Sequence, residues 1–356
     1  MGTFFSVIFA ILIFSFLIFV HELGHFITAK LSGVQVNEFA IFMGPAIWKK
    51  QIGETLYSIR CIPIGGYCAM EGEDQETDNP RSFQKAAWWK RLIVLLAGSV
   101  MNFFTGLLLV AIVFAPAEGF VTPVVEKFED FCTIDGENGL QLGDRFVEID
   151  GEKIYLHSDF SLILSLNGGD YHDIVVERNG KLVELNNFYL ERHAVTDEQG
   201  NQQMLLGFSF GTEEATFGNR LGFIWNTAVG WIRTTRLSLQ MLLTGKAGLA
   251  DLQGPVGIVG TMTDVAASSE STLDAVLNLL YFGAYIAINL AVMNLLPIPA
   301  LDGGRAVLLL LTVAIEAITR KKLDPKYEGY VHAAGMVLLL GLMAIILFKD
   351  VITMIW

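Results

Sequence analysis

Positive charge is what this chain has too little of. Its 356 residues carry 24 Lys and Arg against 37 Asp and Glu, a formal net charge of −13. A nucleic-acid partner, which needs a basic face to neutralise phosphates, is therefore not expected. Cysteine is scarcer: Cys61, Cys68 and Cys132 make up the whole set. Three thiols at those spacings form no obvious disulfide framework or paired metal site, and packing roles are expected for them. Charged residues of either sign are only 17% of the chain while 53% is hydrophobic, and the mean hydropathy is +0.49. That is too apolar for an ordinary soluble enzyme and reads as a membrane protein. Internal repeats, common in transporters, are also missing.

The charge that is present is unevenly placed. Between Ala117 and Arg220 lie 20 acidic and 7 basic residues, so the acidic excess falls within one soluble segment. Outside it run long uncharged stretches. Met1 to Val20 has no charged residue and would span about 30 Å as a helix. It lacks the basic start, short apolar core and small-residue cleavage site of a secretory signal, so a retained span is expected. A second span is expected over residues 92–115, a third over 275–301 and a fourth over 329–348. Basic residues flank these runs at Lys49, Lys50, Lys85, Lys90 and Arg91, and again at Arg305, Arg320, Lys321, Lys322 and Lys326. Basic span ends belong on the cytoplasmic side, which places both termini and the acidic segment outside. Residues 221–243 are apolar at helical spacing but interrupted by Arg233 and Arg236. They suit an amphipathic helix lying in the interface, with a fifth span as the alternative.

At the end of the first apolar run stands His21-Glu22-Leu23-Gly24-His25. On a helix, histidines four apart share a face, so both imidazoles can ligate one zinc while the adjacent carboxylate serves as general base. Such groups are expensive in hydrocarbon and mark a functional site. Gly98 and Asn102 lie on one face of the second span, about 10 to 16 Å from its basic end. The glycine permits close helix approach and the amide offers hydrogen bonds inside the bilayer. Some twenty helical residues into the third run come Asn294, Pro297 and Pro299, followed by Leu301-Asp302-Gly303-Gly304. The prolines break the helix there, so Asp302 sits on irregular backbone at the depth of the histidine pair. Between the first two spans, residues 56–70 read as strand, glycine break, strand, a sheet whose edge could pair with an extended peptide. The acidic segment offers an alternating strand to Asp150-Gly151, a helix over 158–166 with Ser158 as cap, and a hairpin turning on Asn179-Gly180.

The histidine motif, Pro63-Ile64-Gly65-Gly66-Tyr67, Gly98-x-x-x-Asn102 and the run from Asn294 to Gly304 together resemble the site-2 protease family of intramembrane zinc metalloproteases. The similarity is greatest to the bacterial members that cleave anti-sigma factors. Gly139-Leu140-Gln141-Leu142-Gly143-Asp144-Arg145 resembles part of a PDZ domain. The resemblance implies a polytopic α-helical membrane protein with about four transmembrane helices. It adds a membrane-associated β-hairpin or sheet near 35–75 and one extracytoplasmic PDZ-like α+β domain. Domain limits are expected at 1–115, 117–215 and 216–356. By the same resemblance His21, His25 and Asp302 ligate one Zn2+, Glu22 is catalytic, and Asn294 holds substrate or the oxyanion. Substrate contacts are expected at Gly65, Gly66, Tyr67, Cys68, Ala69 and Met70 on the strand, and at Gly98, Asn102, Asn289, Pro297 and Pro299. The implied partners are single-span membrane proteins or peptides, the lipid bilayer and an upstream site-1 protease, in a bacterial cytoplasmic membrane. Two departures stand out: Ser99 occupies a position where proline often follows the glycine, and there is room for one PDZ domain where some relatives carry two. A catalytically silent scaffold binding transmembrane segments is the alternative class, but it predicts decay of Glu22 or Asp302.

Overall fold

The computed structural model describes residues 3–73, 77–136, 139–196, 202–248, 252, 254–321 and 326–355. The chain divides into two compact units, Met1–Val113 with Trp231–Trp356, and Phe114–Gly230.

The first unit begins with helix α1 (Thr3–Ser32), uncharged as far as Val20, a stretch whose backbone has no better option in lipid than bonding to itself. Strands β1 (Val36–Ile52) and β2 (Thr55–Met70) follow as an antiparallel pair turning at Gly53. Positive φ at Phe42, Gly44 and Gly65 bends both strands. As a result Glu38 to Ile41 is paired on two sides, with Leu56 to Ile59 and with Gly66 to Ala69. The segment Gly66–Met70 is thereby an edge, paired on one side only among the described residues. The bend unites the two stretches that sequence reads as separate strands.

At the hairpin tip Glu54 accepts hydrogen bonds from Arg81 (2.5 and 2.8 Å) and Lys30 (2.7 Å). These bonds, Arg81's foremost, hold the Glu54 carboxyl at about 2, below the ordinary carboxylate range.

Helix α2 (Trp88–Val113) crosses α1 at Gly24. A Cβ on Gly24 would stand 2.6 Å from the Ala97 carbonyl, so only glycine admits this approach. Where lipid is as apolar as leucine, such backbone proximity replaces the hydrophobic effect as the packing force.

The second unit is a six-stranded antiparallel sheet. Its members are β3 (Gly119–Phe128), β4 (Arg145–Ile149), β5 (Glu152–Lys153), β6 (Tyr171–Arg178), β7 (Lys181–Tyr189) and β10 (Phe208–Glu214), with the order β10-β3-β4-β6-β7 and β5 beside β4. Helix α3 (His157–Asn167) lies between β5 and β6 in the chain, and the short pair β8 (His193–Thr196) and β9 (Gln202–Leu205) stands apart. Ser158 falls inside α3 and is not its cap. The start is secured by Asp159, whose Oδ2 accepts from the backbone N–H of Tyr155 (2.8 Å) and Leu156 (2.9 Å). Phe146, Ile149, Phe160, Ile163 and Ile174 fill the core. Asn179 and Gly180, both at positive φ, turn β6 into β7 as a primed hairpin requires.

Helix α4 (Phe217–Leu243) is continuous through Arg233 and Arg236. Trp231 meets Tyr281 and Tyr285, and Thr235 donates to Asn289 Oδ1 at 2.5 Å. Helices α5 (Pro255–Ala267), α6 (Thr272–Asn294), α7 (Asp302–Thr319) and α8 (Lys326–Ile355) complete the chain. The expected third run, 275–301, is helical as α6 up to Asn294 and a loop over 295–301, so the break falls where the two prolines were expected to place it. The stretch after Asp302, expected as a basic loop, is helix α7, which buries only Gly303, Gly304, Ala306 and Leu309. Among the described residues four helices are long and apolar enough to cross a membrane: Ser6–Ser32, Trp88–Val113, Thr272–Asn294 and Gly329–Ile352.

Candidate metal centre

Four residues of helical rise bring His21 and His25 to one face of α1. Their Nε2 atoms stand 3.2 Å apart with the rings edge to face. Asp302, the first residue of α7, sets Oδ2 at 3.1 Å from His21 Nε2 and 3.3 Å from His25 Nε2. Among the described residues this is the group of His, Cys, Asp and Glu able to converge on one ion.

The separations can be tested against a metal. A tetrahedral zinc with bonds of about 2.0 Å holds its ligands about 3.3 Å apart. The triangle fits that expectation on every edge. The donor set fits as well: Asp302 Oδ2 is buried without a hydrogen-bond donor, a costly state for a carboxylate unless a cation completes it. His25 Nδ1 lies 2.8 Å from the carbonyl of Val94. That carbonyl accepts a hydrogen bond from Nδ1–H and so leaves the Nε2 lone pair for a metal.

Neighbouring elements hold the triangle in place. On α2, a Cβ at Gly98 would overlap His25 Nε2 and stand 2.6 Å from His21 Cε1, so glycine makes room for both rings. Asn102, one turn further, has its amide 3.4 Å from His21 Nδ1. The Asp302 side is built by the loop after α6. Ala300 takes φ 83, and Gly303 and Gly304 pack directly beneath the carbonyls of Leu295 and Ile298, where no side chain fits. His332 on α8 steadies that loop by accepting from the Ala300 N–H at 3.4 Å. Arg305 pairs with Glu73, which fastens the first turn of α7 to the segment after β2.

The other expected site residues fall as follows. Glu22, next to His21, makes no hydrogen bond to a described residue, and its Cγ is 3.6 Å from where a Gly66 Cβ would be. The edge Gly66–Met70 thus begins beside this carboxylate. Gly65 bends the strand, Tyr67 lies under the Arg60 guanidinium, and Cys68 and Met70 turn into the core with Val36 and Phe39. Ala69 sits on the same segment between them. Asn294 ends α6 with its side-chain amide uncommitted among the described residues. Pro297 and Pro299 lie in the loop leading to Asp302, and Pro299 touches Gly335 of α8. Asn289 is placed differently: it accepts from Thr235 and donates to the Tyr285 carbonyl, and so ties α4 to α6. Sequence reasoning missed the Val94 carbonyl, because a backbone oxygen leaves no trace in residue type. It also missed the Glu73–Arg305 pair, whose members lie far apart in sequence.

The sequence matches the model of peptidase family M50 over residues 9–342. The chain belongs to that family. A Clostridium acetobutylicum protein whose name describes a zinc metalloprotease is 37% identical to this peptidase over 353 residues, covering 98% of each chain. The zinc metalloprotease RasP of Geobacillus kaustophilus is 30% identical over 433 aligned positions, covering 97% of each. The regulator of sigma-W protease RasP of Bacillus subtilis is 28% identical over 430 positions, covering 97% of this chain and 98% of the relative. This peptidase is a zinc metalloendopeptidase and a multi-pass membrane protein. The spacing and donor types of His21, His25 and Asp302 fit a zinc ion.

Proposed function

We propose that this metallopeptidase cleaves a peptide bond within or beside the transmembrane segment of single-span membrane proteins. Anti-sigma-factor-like proteins and remnant signal peptides are the substrate classes, and a site-1 protease first shortens the ectodomain. The observation that carries this reading is the position of the ligand triangle, two of whose members lie on a helix able to cross the membrane. The name of the Bacillus subtilis relative, a regulator of sigma-W, agrees with the first substrate class.

A zinc ion in the triangle would supply Lewis acidity, which makes water nucleophilic near neutral pH and polarises a carbonyl. His21, His25 and Asp302 hold it, one per chain. Glu22 takes the proton of the attacking water and returns it to the departing amine. The uncommitted Asn294 amide donates to the oxygen on which negative charge develops. A helical substrate must unwind to expose its carbonyl. The one-sided edge Gly66–Met70 beside Glu22 offers the unwound backbone hydrogen bonds that hydrocarbon cannot. We assign residues 117–215 to an extracytoplasmic PDZ-like domain that gates by size, admitting substrates whose ectodomain is already short; both termini share its side of the bacterial cytoplasmic membrane.

The deciding experiment follows cleavage of a tagged single-span substrate with a short ectodomain by wild type and Glu22→Gln, with zinc measured in both. Cleavage lost in Glu22→Gln with zinc retained is the expected result. Equal processing by the two proteins would instead favour a silent scaffold. For the gate, replacing residues 117–215 with a flexible linker should allow uncut, full-length substrates to be processed. Slower cleavage of every substrate would mean that the domain docks them.

A further inference from the structure

Helix α2 presents three consecutive turns to the histidine pair: Val94, Gly98 and Asn102. Val94 fixes His25 through its carbonyl, and Gly98 clears space for both rings. Asn102 is only 1% exposed, so its amide is closed to substrate. The end of its amide drawn toward His21 is the nitrogen, Nδ2 standing 3.4 Å from His21 Nδ1, and its Oδ1 is buried without a donor.

We propose that Asn102 is a positioning residue of the metal centre, its side-chain oxygen accepting the Nδ1 proton of His21 and thereby presenting the Nε2 lone pair to the ion. An amide nitrogen donating to Nδ1 would force the His21 proton onto Nε2, which lies 3.1 Å from Asp302 and 3.2 Å from His25. A proton there blocks coordination. The two ends of an amide have the same shape, and their orientation follows from their partners. With the oxygen toward His21, the acceptor gains a donor and the imidazole takes the tautomer that a metal ligand needs. Asn102 then does for His21 what the Val94 carbonyl does for His25, from the same face of the same helix. The inference rests on the zinc centre and is independent of which substrate is cut.

The test uses full-length protein in lipid nanodiscs and measures zinc affinity by chelator competition, with the visible spectrum of the cobalt-loaded form. Asn102→Ala should weaken zinc roughly 10- to 100-fold and alter the cobalt spectrum. Asn102→Asp, which keeps an acceptor and has no amide donor, should stay close to wild type. Unchanged affinity and spectrum in Asn102→Ala would overturn the proposal. So would a loss in Asn102→Asp equal to that in Asn102→Ala, because an oxygen at that position would then not suffice. Should the Asp variant not fold, the nitrogen-15 shifts of His21 in zinc-loaded wild type and Asn102→Ala decide: a protonated Nδ1 whose shift moves in the variant supports the contact, and a wild-type Nδ1 without its proton refutes it.

Discussion

A single hydrogen at Gly98 separates a metal centre from a steric clash. The Cβ of any larger residue would meet the ring atoms of His21 at 2.6 and 2.7 Å and overlap His25 Nε2. Both imidazoles would have to turn, and overpacking of this kind costs about 1–3 kcal/mol. If that falls on the centre, Gly98→Val should lower zinc affinity by roughly 5- to 150-fold, read by metal analysis and chelator competition with helix content unchanged by circular dichroism. Full zinc retention would mean that α1 and α2 separate more easily than their contact implies. At this scale the sequence is most legible where chemistry and periodicity coincide, as in His21 and His25. Asp302 is a harder case, reached through counted depth and resemblance. Asn289 shows the limit: an amide in a membrane helix marks either a site or a helix contact, and only its partners, Thr235 and Tyr285, tell which.

The elements that position the site differ in how far their sequence declares them. Helices α1, α2, α6 and α8 are readable because each contains a long uncharged run, which has few alternatives in lipid. Helix α7 escapes the reading because its glycines and flanking charges imitate a loop, although Gly303 and Gly304 serve close packing. The bent hairpin is intermediate: glycines mark the break, but the double pairing of Glu38 to Ile41 depends on positive φ at Phe42, which no residue preference suggests. The proposed role of the edge strand belongs to this scale. Ala69→Pro removes one backbone donor from the edge and fixes its φ. Cleavage should slow by about tenfold or more, the equivalent of one net hydrogen bond of about 1.5 kcal/mol, while bound zinc is retained. Turnover at the wild-type rate would exclude backbone pairing on this segment.

For the whole molecule, the two units rest on different physics. The first holds its helices together by backbone proximity at small residues, as at Gly24 against Ala97. The second has an aromatic and aliphatic core that depends on water outside it. It also contains an ion pair built on a fully buried carboxylate: Arg178, itself half-buried, donates to both oxygens of Asp144, at 2.8 and 2.7 Å, and to the Gly139 carbonyl at 2.7 Å. Asp144 Oδ2 accepts in addition from the Gln141 N–H at 2.8 Å. This carboxylate and guanidinium therefore close the Gly139–Gly143 loop that resembles a PDZ feature. Removing one partner leaves a buried charge unmatched, which costs about 3–5 kcal/mol. Arg178→Leu should consequently lower the melting transition of residues 114–230, followed by hydrogen exchange in β4 and β6, while zinc content stays at the wild-type level. Loss of zinc along with that transition would show that the units unfold together, and the division of labour between them would have to be abandoned.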